Sequence, residues 1–461
     1  MIKYSLILTL LSINLFVLNS FAAHAENLPI GLTEKEKPLL ESYLQGQMRN
    51  VTAPPMGPVH SLGEWEEADA AMTLWQNDSL IKALSEHGNV KILTQNNSGK
   101  NSWLASIKNL NLDESKFSFY IVPTDSIWIR DYGPWWIVDG SGKFGIVDTI
   151  YNRPRPEDDV VPEFIGRQLD VPVYKPGLVH TGGNYYSDGL GNAFSSTLVE
   201  TENNNFSVAQ VLERMLNFLG INSYTRSELG KNATIEHLDT FGKLVAPDTW
   251  VFSEFPKNSR FYTDAERMVQ ILKSKVSPYG TPYKIFRLRM NSASKGQSRE
   301  YYRAYINSFI SNGALYFPTY GDAGDDEAKR VYQQALPGYK IVGVDAEGTE
   351  WGDSVHCRTR NLIKKDTIFI FPQIQTPVFT SNQLTVSAEI IPSPNSEVLK
   401  AEAIFVENGN EVERLTLILD HNHTYKAQTN KKSGEFYISV TDTSGKTKTH
   451  PLLAPKMLIR Y

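Results

Sequence analysis

From about residue 90 to residue 345, short apolar runs that fit strands alternate with longer amphipathic runs that fit helices. This alternation limits the fold more than any other feature of the chain. "VKILTQ" and "KFSFYIVP" have the apolar, β-branched and aromatic content of half-buried or buried strands. "SVAQVLERMLNFLG" carries apolar residues at helical spacing and stops at Gly220. "TDAERMVQILKSKV" repeats that pattern, and "GDDEAKRVYQQALPGYKIVGVDA" reads as helix, Pro-Gly turn and strand. Such alternation predicts an α/β fold. After about residue 370 the texture changes. "LTVSAEIIP", "LKAEAIFVENG", "VERLTLILD", "TYKAQT" and "GEFYISVTDTSG" alternate apolar and polar residues between turn signals, which predicts a small all-β sandwich of about 90 residues. The expected parts are residues 26–372 and 373–461, jointed in "QIQTP", Gln373 to Pro377.

The first 25 residues read differently. Lys3, an apolar run and Ala23-His24-Ala25 follow the layout of a secretory signal peptide cleaved after Ala25. A retained membrane anchor competes with this, but Asn14 and Asn19 interrupt the run. No later stretch approaches the roughly 18 apolar residues that a transmembrane segment needs. The protein is therefore expected outside the cytoplasm, secreted or periplasmic. A net charge of −5 lacks the basic footprint of a nucleic-acid binder.

Exported chains usually pair their cysteines, yet Cys357 is the single cysteine among 461 residues. Its neighbours Asp353, Ser354, Arg358, Thr359 and Arg360 are poor company for a buried apolar thiol, and nearby cations favour the reactive thiolate. A nucleophile and an inert buried thiol both fit at this point. Three further stretches are too polar for ordinary core strands. "VPTDSIWIRDYGPWW" sets Asp125, Arg130 and Asp131 among Trp128, Trp135 and Trp136. A carboxylate in such surroundings needs a partner, either Arg130 or a cationic ligand lying against an indole. "HTGGNYYSDGLGNAFSS" has Gly182, Gly183 and Asn184, then Asp188-Gly189 and Gly191, the marks of tight turns and close backbone approach. In "IEHLDTFG", read as a strand, His237 and Asp239 share a face. They could serve a thiol as acid/base and charge partner, or form a structural hydrogen-bonded pair. His356 adjoins Cys357, but in an extended segment it leaves on the opposite face, so His237 is the better base. His421 and His423, in "DHNHTY", read as a polar turn between strands, and "GDAGDDEAK" departs from the calcium-loop pattern and is expected to cap a helix.

Read in order, WIRD, TGGN-x3-DG, EHLD and HCRT resemble the guanidino-group-modifying enzymes, the penteins. More closely, from about Gly57 to Gln373, the chain resembles the Porphyromonas-type peptidylarginine deiminases, relatives of the agmatine deiminases. The resemblance implies a five-bladed α/β propeller of pseudo-symmetric units around a central site, followed by an immunoglobulin-like sandwich. It implies guanidinium-binding carboxylates at Asp131 and Asp239, acid/base chemistry at His237 and a nucleophile at Cys357. Trp128 and Ile235 would line the side-chain channel, and Asn307 would complete the pocket. No metal and no cofactor are implied, so activity would be calcium-independent.

Substrate choice rests on "IYNRPRPEDD". Arg153 and Arg155, one residue apart in a stretch stiffened by prolines, face one side and could receive a carboxylate. An exposed basic loop paired with Glu157, Asp158 and Asp159 is the plainer alternative. The resemblance matches the two arginines to those that bind the α-carboxylate of a C-terminal arginine, so arginine-containing peptides are the implied substrates. Thr234 and Gly352 stand where the secreted relatives have tyrosine and threonine. The alternatives are an agmatine or free-arginine deiminase, a Cys-His-Asp thiol hydrolase, and an inactive binding protein.

Overall fold

The computed structural model describes residues 28–231, 233–290, 302–349, 352–373, 384–431 and 433–461. The expected signal peptide, residues 1–25, and most of the expected joint, residues 374–377, lie outside the described residues.

The larger region is mixed α/β, and its described residues form five small sheets built alike. Gly242–Ala246 pairs antiparallel with Thr249–Glu254, the helix Tyr262–Lys273 follows, and Lys284–Arg289 returns parallel to the second strand. A hairpin joins only antiparallel strands, so each parallel return needs its helical crossover. Phe309–Ser311, Ala314–Thr319, Ala323–Ala335 and Lys340–Asp345 repeat the order. So do Trp135–Val138, Phe144–Val147, Val161–Leu169 and Val173–Tyr174. Tyr186–Ser187, Asn192–Ser196, Val208–Leu219 and Ser223–Ser227 form another such unit. The remaining sheet ties the two ends of the region together. Thr359–Ile363 pairs antiparallel with Ala68–Thr73, which leads through the helix Asp78–His87 to the parallel strand Val90–Thr94.

The helices form where the sequence marks them. Ser207 and Gln210 make a reciprocal capping box, and Val211, Met215, Phe218 and Leu219 bury one face before Gly220 ends the helix. Asp322 accepts from the Gly324 N–H and caps Ala323–Ala335, as the acidic run suggested.

The C-terminal residues form two β-sheets around a core that includes Val386, Ile390, Phe405, Phe436 and Ile438. The strand Phe369–Gln373 hydrogen-bonds into this all-β part through Leu384–Ile391. His421 and His423 flank a turn at Asn422, between Ile418–His421 and Thr424–Thr429. The all-β part packs on the larger region: Tyr279 Oη lies 2.7 Å from His450 Nε2, and His60 stacks on Phe371 at 3.7 Å.

Candidate active site

The polar motifs recur at one structural place, the few residues before the first strand of a unit. Asp131 lies in the turn Ile129–Tyr132 ahead of Trp135–Val138, and Gly182–Asn184 precedes Tyr186–Ser187. Asp239 lies in Leu238–Thr240 ahead of Gly242–Ala246. Asn307 and Cys357 stand two residues before Phe309–Ser311 and Thr359–Ile363.

The strand reading of "IEHLDTFG" is corrected here. His237 is extended, but Leu238–Thr240 is a 3-10 turn, closed by Thr240 Oγ1 donating to His237 O at 2.8 Å. Asn184 holds it from the neighbouring unit, its Oδ1 accepting from Leu238 N at 3.2 Å and Ser196 N at 2.8 Å.

The motifs meet at Gly183. A Cβ there would lie 2.7 Å from Asp131 Oδ1, 2.8 Å from His237 Nδ1 and 3.1 Å from Asp239 Oδ2. The Gly183 N–H donates to Asp131 Oδ1 at 3.2 Å. His237 turns Nε2 to Thr181 Oγ1 at 3.1 Å and brings Nδ1 within 3.6 Å of Asp131 Oδ1. Asp131 Oδ2, Asp239 Oδ1 and His237 Nδ1 are buried with no hydrogen-bond partner among the described residues. Native interiors rarely leave such atoms unpaired, and two carboxylate acceptors beside an imidazole nitrogen suit a planar cation with several donors.

Cys357 completes this cluster. Its Sγ lies 3.3 Å from Asn307 Nδ2, 3.7 Å from Asp239 Oδ2 and 3.8 Å from Gly352 O. Asn307 Oδ1 accepts from the backbone N–H groups of His356 at 2.9 Å and Cys357 at 3.3 Å, while Nδ2 lies 3.3 Å from Asp239 Oδ2. Both ring nitrogens of His356 are engaged by carboxylates. Its Nδ1 meets Asp239 Oδ2 at 2.7 Å and its Nε2 meets Glu64 Oε2 at 2.9 Å.

Sequence reasoning missed Glu64, one acid among several in "GEWEEAD". Burial opposes its ionisation, but Lys243, Arg130 and His356 outweigh that and hold the carboxyl well below its usual range. Arg130 therefore serves Glu64, 3.0 Å away, and is not the partner of Asp131. The arginines beside the thiol do not activate it either. Arg358 pairs with Asp353 at 2.6 Å and lies over Trp75 and Trp128, and Arg360 donates to Pro134 O at 2.6 Å.

Among the site's own groups every shift resists charge separation. Burial, then Asp239, Asp131 and Asp353, push the Cys357 thiol well above its usual range. Burial and Arg153 pull His237 down to about 3. Burial pushes Asp131 up to about 6 against the pull of Arg153, and burial with Asp131 raises Asp239 well above an ordinary carboxyl. A cation bound between these acids would reverse the balance.

Trp128 and Ile235 share an apolar cluster with Cys357, and Gly352, at φ +97°, has Ile235 Cγ1 3.8 Å from where its Cβ would stand. Arg153 and Arg155 are 6% and 1% exposed, which excludes the basic-loop alternative. Asp158 instead accepts from Ser126, and Asp159 from Tyr43 and the Tyr151 N–H. Arg153 Nε donates to Ile30 O at 3.1 Å, and Arg155 Nε to Glu36 Oε1 at 2.7 Å.

Residues 58–362 match the family model of Porphyromonas-type peptidyl-arginine deiminases. A candidate agmatine deiminase of Mycoplasma mycoides is 22% identical over 351 residues, covering 65% of this chain and 94% of its own. A solved candidate arginine deiminase from Porphyromonas gingivalis superposes with a TM-score of 0.59 at 21% identity, covering 66% of this chain and 98% of that one. The Enterococcus faecalis agmatine deiminase gives 0.57 at 20% identity, covering 66% and 96%.

Proposed function

Because the chain belongs to the Porphyromonas-type peptidyl-arginine deiminase family, we propose that it hydrolyses the guanidino group of a peptide's C-terminal arginine to give citrulline and ammonia. The observation that carries this reading is the set of unpartnered buried atoms of Asp131, Asp239 and His237 around Gly183, with the Cys357 sulfur beside Asp239.

In the proposed reaction the two carboxylates grip the guanidinium, and its charge makes thiolate formation favourable. The thiol gives its proton to His237, and the thiolate attacks the guanidinium carbon, forming a C–S bond. His237 returns that proton to the departing nitrogen. The C–N bond breaks, ammonia leaves and a covalent thiouronium remains. Water then loses a proton to His237 and attacks the same carbon. The C–S bond breaks, His237 returns its proton to the departing sulfur, and the proton on the new urea oxygen passes to solvent, where it converts the released ammonia to ammonium.

The same acids set a pH dependence. A protonated carboxyl cannot pair with a cation, and cation binding favours its ionised form, so affinity grows with pH up to the free-enzyme pKa values. With Asp131 near 6, kcat/KM should fall as pH drops through about 6. A flat profile between pH 5 and pH 7 would remove Asp131 from substrate binding.

Two buried arginines side by side support a substrate that brings a carboxylate, and Arg155 already binds one, that of Glu36. Agmatine has none to offer. Ammonia release and the mass gain of about one dalton on guanidine-to-urea conversion test the reading on peptides with C-terminal or internal arginine and on agmatine. In Arg153→Gln/Arg155→Gln, the ratio of kcat/KM for C-terminal arginine over agmatine should fall at least about tenfold, since a charged hydrogen bond contributes about 1.5–3 kcal/mol. An unchanged ratio would make agmatine-like amines the better substrates, and a cut peptide would make the protein a thiol hydrolase.

We also infer that the alike units stand around one axis as a five-bladed propeller, with the all-β part an immunoglobulin-like sandwich. The recurrence of site residues at one place in the units supports this. A crystal structure whose sheets did not encircle Gly183 would refute it.

A further inference from the structure

Cys357, Asp131, His237 and Asp239 are each no more than 1% exposed, so no substrate can reach them in the arrangement seen. The chain segment over the site is Leu28–Glu36, whose backbone joins no sheet. Its contacts follow those a substrate would make. Trp128 Nε1 donates to Leu28 O at 2.9 Å, and Arg153 Nε to Ile30 O at 3.1 Å. Arg155 Nη2 donates to Pro29 O at 2.7 Å and Gly31 O at 3.2 Å. The Glu36 carboxylate lies on Arg155, 2.7 Å from Nε and 3.4 Å from Nη2. Ile30 is 8% exposed and packs in the cluster of Trp128, Ile235 and Cys357, while Gly31 passes close to Thr234. An apolar side chain thus plugs the proposed channel while a carboxylate sits on Arg155, one of the two arginines, and the other, Arg153, holds the Ile30 carbonyl.

We infer that Leu28–Glu36 is an intramolecular competitor that fills the substrate's place and holds the enzyme inactive until it is displaced. The inference rests on the deiminase reading above. Glu36 has a second tie, since its Oε2 accepts from the Thr33 N–H at 2.7 Å. That bond closes a local turn and orients the carboxylate toward Arg155. A purely structural strap would use the same contacts, so the two differ in kinetics rather than geometry.

A competitor in equilibrium with an open form lowers the apparent affinity of every substrate by the same factor, the open fraction. Loosening it should multiply kcat/KM alike for C-terminal arginine peptides and for agmatine, leaving their ratio and the saturated rate unchanged. A specificity element would alter the ratio, and a structural strap would lower both.

The test uses the full chain and two point variants, Glu36→Gln and Ile30→Ser, so that one misfolded protein does not decide it. Because Cys357 is the only cysteine, labelling by a small uncharged thiol reagent reads access to the site without needing turnover. Labelling at least about tenfold faster than in the parent, with equal gains in kcat/KM on both substrates, is the expected result. A synthetic peptide of residues 28–37 should then inhibit Glu36→Gln competitively. Equal labelling rates, or unchanged kcat/KM in folded variants, would overturn the inference. Faster labelling without ammonia from any guanidino compound would overturn the deiminase reading and leave the seal standing.

Discussion

Replacing Cys357 with serine is expected to lower ammonia release at least about a thousandfold, roughly 4 kcal/mol of barrier, while a guanidinium ligand still binds. Burial and the surrounding carboxylates push the thiol well above its usual range and so favour its protonated form. The exchange therefore replaces one neutral group by another, and Asp131 and Asp239 feel no change of charge. Asp239 Oδ2 keeps its hydrogen bond to His356 at 2.7 Å, so the acid should not move. What is lost is the nucleophile, because a serine hydroxyl beside two acids has no means of ionising. The parent, quenched during turnover, should carry its substrate covalently through sulfur, and the serine variant should carry none. Calorimetry on the variant measures binding without reaction. Ammonia release above about one part in a hundred of the parent's would end the assignment of Cys357, and loss of binding would show that the sulfur helps form the guanidinium site.

The sequence carried the repeating chemistry better than the shape. Each of the four motifs was legible because acids, tryptophans, paired glycines or a cysteine beside a histidine are conspicuous where a strand should begin. Their common position before the first strand of a unit was not legible. The units share a topology, but the residues that fill them differ, and a pairing such as Thr359–Ile363 with Ala68–Thr73 spans most of the region. The local geometry of His237 and Asp239 was misread, since alternation cannot distinguish a strand from an extended residue followed by a 3-10 turn. Glu64 stayed hidden because an acid that neutralises buried Lys243 and Arg130 has no local signature. The arginines flanking Cys357 misled, because sequence proximity said nothing of Asp353 and Pro134 as their partners. Arg153 and Arg155 were found, but the carboxylate already on Arg155 comes from Glu36, 119 residues away.

Gly183→Ala should cost at least about a hundredfold in kcat/KM, close to 3 kcal/mol, with little loss of stability. The atoms nearest the added methyl are Asp131 Oδ1, His237 Nδ1 and Asp239 Oδ2 at 2.7, 2.8 and 3.1 Å, all side-chain ends. They can give way without moving the backbone, so the fold should survive. Glycine to alanine in a permitted conformation also removes freedom from the unfolded chain, worth about 0.4–1 kcal/mol in the opposite direction. Gly182–Asn184 is a 3-10 turn, a conformation alanine accepts, and the backbone N–H that serves Asp131 remains. The site has no such latitude. The methyl occupies the space between the two acids and the imidazole, so the guanidinium must be displaced or the acids pushed off it. Neighbouring Gly182 provides the contrast, since a Cβ there would lie 2.1 Å from the Arg130 carbonyl oxygen and force the backbone apart. Gly182→Ala should therefore lower the melting temperature, whereas Gly183→Ala should lower activity in a protein that melts like the parent. Full activity in Gly183→Ala would mean that the guanidinium binds elsewhere, and the convergence of acids at Gly183 would be structural.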